Sequence, residues 1–350
     1  MAYSAITKPQ DYFSTKLYDG DGNTGRNLTG VGFEPSWVWI KERSSSSDHM
    51  LFDQPRGVEK YISSNLANAE QTSNQMLTAF DSDGFTIGPS NDLNDPGQNY
   101  VAWNWKANGQ GSSNTDGSIN TTYTSANTTS GFSIVKYTGT GSNATVGHGL
   151  GVVPKMIIVK CLDQTHWWFT YHVSVGNDRH MTINTTNDQS GTSANYWNNT
   201  TPTSSVFSIG TDTGVNQSGQ NYIAYCFAEV KGFSKIGSYY GNGNSNGPFT
   251  YTGFKPAFGL FKEYTGPGSS NWTIQDDKRE GYNISNSRLF PNDSAAGNAS
   301  SFRLNLLSNG FKINNSDSDS NRNGNNFLYL AFAEHPFVAN VDGGLPTTAR

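Results

Sequence analysis

Apolar and polar positions alternate along most of the chain with a period of two, the mark of strands that turn one face to a core. The clearest stretch is Gly97-Gln98-Asn99-Tyr100-Val101-Ala102-Trp103-Asn104-Trp105. Val101, Trp103 and Trp105 share one face, and the smaller Ala102 lies on the other. The pattern returns as Gly219-Gln220-Asn221-Tyr222-Ile223-Ala224-Tyr225-Cys226-Phe227 and, more loosely, as Asn325-Asn326-Phe327-Leu328-Tyr329-Leu330-Ala331-Phe332. The spacings are 122 residues (221 − 99) and 105 residues (326 − 221). That period is the size of a domain and too long for a solenoid unit. Each copy is expected to close one β domain from the middle of a packed sheet.

Other elements recur in the same order. Each repeat opens with a strand and a glycine-rich turn: Ser14–Tyr18, Gly131–Tyr137 and Gly232–Tyr240. A proline then precedes an apolar strand that ends in lysine: Pro35 to Lys41, Pro154 to Lys160, Pro256 to Lys262. Proline there costs no ladder bond, and the three lysines read as solvated strand ends. An aromatic strand follows, His49–Asp53, Trp168–His172 and Trp272–Asp276. Two of these carry an acid and, three residues on, an arginine: Asp53 with Arg56, Asp276 with Arg279. The second repeat has His172 and Val175 instead. An ion pair holding a loop is the expected role. A further strand is expected to end at Asn65, Asn184 and Asn286. Hairpins turn at Asp83-Gly84 and Asn309-Gly310, and Phe207–Gly210 is the matching strand of the second repeat.

About seven short strands per hundred residues is the density of a two-sheet sandwich. The expected fold is all-β: three similar antiparallel β-sandwich domains in tandem, jelly-roll or concanavalin-like. The boundaries are a lead-in at 1–10, repeats at 11–110, 131–230 and 231–337, a linker at 111–130 and a tail at 338–350. Repeats two and three should be rigidly joined.

Composition narrows the class. Charged residues make up 15% of the 350, below the usual share of about 25%. An aromatic content of 13% argues against disorder. A net charge of −5 without a basic run argues against nucleic acid as a partner. The opening Met1–Ile6 lacks the features of a signal peptide, and no apolar run is long enough for a membrane helix. Cys161 and Cys226 have no cysteine counterparts in the other repeats and read as free thiols.

Candidate chemistry is sparse. Asp19, Asp21 and Asn23 resemble the start of a calcium loop, but position twelve is Gly30, so a turn is the better reading. Asp317, Asp319 and Asn321 are a similar case. His166 and His172 flank Trp167, Trp168 and Tyr171 without a third metal ligand. No nucleophile elbow, zinc helix or phosphate loop is present, so no catalytic residue and no cofactor is expected.

The proline strand ending in lysine, the Trp272-to-Asp276 strand, the Asp83–Gly88 hairpin and the Asn99–Trp103 strand resemble a repeated β domain of bacteriophage virion proteins, chiefly of marine and cyanobacterial phages. Ser4–Phe13 and Thr347–Arg350 are similar to the ends of such proteins. The resemblance spans about residues 4–350. It implies a non-enzymatic tail-fibre-like or particle-surface component, located on the virion and made in the host cytoplasm. Implied partners are other virion proteins and further copies of the chain, with a trimer favoured. Two alternatives are a lectin module for host-surface glycan and a capsid decoration protein. A lectin would keep an exposed aromatic beside polar groups in a concave site, whereas a scaffold would bury its aromatics. No residue is assigned to ligand binding by sequence.

Overall fold

The computed structural model describes residues 4–336 other than 269 and 282. The expected tail at 338–350 lies outside the described residues. The fold is all-β, and the strands pair antiparallel into six sheets among the described residues.

The large sheet of the first repeat orders Phe13–Asp19, Asn99–Trp105, Trp37–Glu42, Met50–Asp53, Lys60–Ser63 and Gln71–Thr72. That of the second orders Tyr123–Asn127, Phe132–Thr138, Asn221–Phe227, Met156–Cys161, Phe169–His172 and Met181–Thr182. The third orders Ser234–Tyr240, Asn326–Pro336, Phe254–Glu263 and Thr273–Asp276. The closing strand therefore lies between the opening strand and the proline strand each time. Registers match as well: Trp103 faces Thr15 and Trp39, Tyr225 faces Ile134 and Ile158, and Leu330 faces Ile236 and Leu260. In the third repeat the strand runs through Pro256 itself, at a bulge where the missing N–H is tolerated.

A second sheet covers each of these, with fewer strands in the first two repeats and four against four in the third, giving a sandwich-like packing. The hairpin Leu77–Asp81 with Gly84–Ile87 adds Arg26–Thr29 in the first repeat. Ala144–Gly147 pairs Val206–Ile209 in the second, and Phe249–Tyr251, Gly310–Ile313, Asn298–Leu307 and Ser285–Arg288 form the third. The filling between the two sheets comes from the small face of the closing strand. Ala102 packs with Val38, Phe52 and Phe85, Ala224 with Ile157 and Phe207, and Ala331 with Phe261 and Phe311.

The large face points the other way. Trp103, Tyr225 and Leu330 meet in a fourth apolar cluster that draws on all three repeats and includes Trp37, Trp105, Phe132, Phe258 and Phe332. The Trp37 ring lies 4.4 Å from both Trp105 and Tyr225, and Phe13 lies 5.2 Å from Phe332. Each such side chain contributes roughly 1.5–3 kcal/mol by leaving water. Flat aromatic faces on three central strands can all be buried only against one another.

The boundaries between repeats carry one hydrogen bond three times. Glu70 N donates to Leu162 O at 2.8 Å, Gln189 N to Tyr264 O at 3.1 Å, and Gly297 N to Arg43 O at 2.8 Å. First meets second, second meets third, and third meets first.

Two expectations change here. The stretch 111–130 was expected to be a linker, but Tyr123–Asn127 pairs along Phe132–Thr138 and covers that sheet edge. An unpaired edge offers ladder partners even to a Ser- and Thr-rich segment. The recurrent asparagine of the third repeat is Asn292, not Asn286. Asn65, Asn184 and Asn292 each accept from the backbone N–H that opens the aromatic strand, at His49, Trp168 and Trp272. Asn286 lies instead within Ser285–Arg288.

Candidate functional site

The acid–arginine pairs, and the histidine that stands in their place, lie at the repeat boundaries. Asp53 and Arg56 are fully buried, with Arg56 Nε 2.5 Å from Asp53 Oδ2 and Arg56 N donating to Oδ1 at 3.0 Å. Asp276 and Arg279 repeat the arrangement at 2.6 and 2.9 Å. Each acid also accepts from the next repeat: Asp53 from the Tyr225 hydroxyl at 2.7 Å, Asp276 from the Trp103 indole at 3.1 Å. His172 holds the same position in the second repeat, its Nε2 3.4 Å from Tyr329 O. Burial lowers the His172 pKa to about 4, so the ring is neutral.

The three lysines are not solvated strand ends. Lys41, Lys160 and Lys262 are fully buried because the neighbouring repeat covers the strand end. Lys160 Nζ donates to Ala67 O at 3.2 Å in the first repeat, and Lys262 Nζ to Thr186 O at 3.0 Å in the second. Lys41 Nζ donates to Glu42 O at 2.6 Å. Burial lowers all three to about 8.

The proposed calcium positions are occupied by protein contacts. Asp21 Oδ1 accepts from Asn23 N and from Asn94 Nδ2, and Arg26 Nε lies 3.3 Å from Oδ2. Asp19 gives its carbonyl to Arg26. A buried asparagine holds each glycine-rich turn: Asn94 accepts from Asp21 N, Asn216 from Thr140 N, Asn321 from Asn242 N. Asp317 and Asp319 pair with Arg288. Among the described residues no group of three His, Cys, Asp or Glu could hold a metal ion. Cys161 and Cys226 are free and buried.

One concave position differs in chemistry between the repeats. It is built by the residue before the aromatic strand, the residue four before the recurrent asparagine, and the one-turn helix near the end of the repeat. In the third repeat these are Asn271, Arg288 and Asp319, and the space is closed by Arg288 Nη1 at 3.2 Å from Asp317 and 3.4 Å from Asp319. In the first they are Asp48, Tyr61 and Asp92, lining about 240 Å³, where burial and then the Asp48 charge raise the Asp92 pKa.

In the second repeat they are Trp167, His180 and the turn at Gly214. The cleft holds about 330 Å³ and is lined by Trp167, His180, Thr182, Asn187, Asp188, Gln189, Ser190 and Tyr196. Trp167 is 49% exposed. Its neighbour Trp168 is buried and donates from Nε1 to Ser63 O and Leu66 O, both at 3.0 Å. Trp167 precedes the strand Phe169–His172 and, with Trp168 anchored inward, its ring faces solvent. The His180 ring lies 3.9 Å from the Tyr196 ring at a 45° tilt, and burial lowers the His180 pKa to about 4. Burial, then Asp212, raises Tyr196 to about 12. Both line the cleft uncharged at neutral pH. The loop of Asn187, Asp188 and Gln189 is pinned to the third repeat by Gln189 N on Tyr264 O and by Lys262 on Thr186 O. A flat apolar ring beside fixed amides and a carboxylate can stack on a ligand and bond its edge.

Sequence reasoning passed through Trp167 only as a neighbour of His166 and His172, and it did not single out Asp188 or Tyr196. The available signal was the Trp167-Trp168 pair, since adjacent residues on a strand face opposite ways.

Fold and cleft define an all-β, sandwich-like protein that presents an exposed indole in a cleft among the described residues. The chain belongs to the family described as Domain of unknown function (DUF7483), whose model matches residues 8–336 and so runs through all three repeats. No curated protein and no solved structure matches it.

Proposed function

We propose that this chain is a non-enzymatic surface component of a bacteriophage particle, a tail appendage or fibre that attaches to host glycan. The observation that carries the attachment role is Trp167, a half-exposed indole in a cleft whose other walls are polar. A purely structural part would bury that ring, as it buries Trp37, Trp103, Trp105 and Trp168. The cleft lining has one carboxylate, Asp188, and so lacks the acid pair that glycoside hydrolysis uses. The virion setting rests on the resemblance of the repeated motifs.

In this reading the three sheet pairs are copies of one sandwich in tandem, closed on themselves around the shared aromatic core. That arrangement supplies a rigid platform for a receptor loop. Multiple copies on the particle, with a homotrimer favoured, remain part of the proposal. They rest on the resemblance and not on a bare apolar face, because Trp103, Tyr225 and Leu330 are covered within one chain.

The test is binding of the purified chain and of Trp167→Ala to immobilised bacterial surface polysaccharides, with antibody labelling of phage particles. Binding that is lost in the variant, with label on the particle surface, supports the proposal. Polysaccharide binding by neither protein, or unlabelled particles, overturns it.

A further inference from the structure

We infer that the Trp167 cleft takes one uncharged hexopyranose unit, at one site per chain, and rejects sugars that carry a carboxylate. The inference rests on the glycan-attachment reading and names the ligand class of that site.

The ring face comes first. An exposed indole offers a flat, electron-rich surface to the C–H face of a pyranose. Beside it the Asp188 carboxylate and the side-chain amides of Asn187 and Gln189 have no hydrogen-bond partner among the described residues. A carboxylate accepts from two neighbouring hydroxyls in charge-assisted bonds, and amides both donate and accept. These groups stand ready because the loop is tied to the third repeat at both Thr186 and Gln189.

Charge sets the class. Asp188 is the one charged group in the lining, and no lysine or arginine lines the cleft. Arg179 sits behind it, with Nη1 on Ser190 O at 2.9 Å. The Lys262 amine feels the Asp188 charge, but it is fully buried and donates to Thr186 O and Ser270 O. An anionic sugar would therefore bring its carboxylate towards Asp188 with no cation in the lining to meet it, and like charges at close range repel strongly once water is displaced.

Stoichiometry follows from the other two repeats. The third fills the equivalent space with Arg288 and its two acids. The first has Asp48 where the second has Trp167, and Tyr61 is engaged with Gln71 at 2.6 Å. Neither presents an exposed indole.

The experiment titrates the full chain with methyl mannoside, methyl galactoside and N-acetylglucosamine trimer, and separately with sialyllactose and digalacturonate, reading indole fluorescence and saturation-transfer NMR. At least one uncharged probe is expected to bind once per chain, with the anionic probes at least about tenfold weaker. Trp167→Ala should weaken binding by more than about tenfold, as for loss of an aromatic anchor. Asp188→Asn should narrow the gap between uncharged and anionic probes. The inference fails if anionic probes bind as well as uncharged ones, if more than one site fills, or if Trp167→Ala binds like the parent. It also fails, while the attachment reading stands, if only acidic polysaccharides bind through Trp167. Should no polysaccharide of either charge bind, the attachment reading fails with it.

Discussion

Tyr225 and Asp53 lie 172 positions apart in the chain and 2.7 Å apart at their oxygens. The bond crosses from the second repeat to the first, and Trp103 makes its counterpart to Asp276 from the first to the third. At the remaining boundary the closing strand presents Leu330, which has no hydrogen to donate. There the acid is absent, and His172 turns to the Tyr329 carbonyl. The departure of the second repeat from the acid–arginine pattern is thus matched to its partner. A buried carboxylate needs every donor it can find.

Tyr225→Phe should remove that bond and little else, because the ring stays stacked on Trp37. Destabilisation of about 1–3 kcal/mol is expected from leaving a buried acceptor short of a donor. Urea unfolding of the two proteins measures it. An unchanged midpoint would mean that Arg56 alone satisfies Asp53.

The matched boundary can be exchanged. His172→Asp places a carboxylate opposite Leu330 with Val175 where the arginine would be, and should cost about 3–5 kcal/mol, as for an uncompensated buried charge. Adding Val175→Arg and Leu330→Tyr should recover a large part of the loss, a coupling visible as strong non-additivity. Stabilities that simply add across the three changes would show that the boundary chemistry is not a unit.

A shared aromatic core predicts shared unfolding. Calorimetry of the whole chain should give a single transition, with van't Hoff and calorimetric enthalpies in agreement. A chain starting at residue 131 would uncover Phe258, which packs on Phe13, Trp103 and Trp105, and Trp168, which bonds Ser63 and Leu66, and should aggregate or fail to fold. Three resolved transitions would mean that the repeats are independent domains.

Much of this was legible from alternation, and the limits were physical. The facing of Val101, Trp103 and Trp105 followed from a period of two, which cannot say whether the large face meets its own sandwich or a neighbour. Asp53 with Arg56 could be recognised as a pair, but Tyr225 is too distant in sequence for spacing to connect it. Lysine is usually a solvated strand end, and only the covering repeat buries Lys160. Asn286 and Asn292 both follow Asp276, and only the bond from Trp272 N shows that the longer loop of the third repeat moves the role to Asn292. In the cleft, Trp167 and Trp168 face opposite ways, yet which one is anchored depends on the Ser63 and Leu66 carbonyls.

The buried lysines should shift the stability optimum to alkaline pH. Lys41, Lys160 and Lys262 are each lowered to about 8 by burial, against roughly 10.4 in an unfolded chain. Between those values the unfolded chain binds more protons than the native one, so stability rises with pH. Cys226, raised to about 12 by burial, opposes this above about 8.5, but it is one thiol against three amines. Above about 10 the buried Tyr18, Tyr137 and Tyr239, all raised by burial, reverse the trend, because their phenols ionise only on unfolding. Urea midpoints should therefore climb from about pH 8 to about pH 10 and then fall. Lys160→Met should raise the midpoint at pH 8 and flatten the climb. A parent midpoint that declines steadily from pH 8 would place the lysine amines in contact with water.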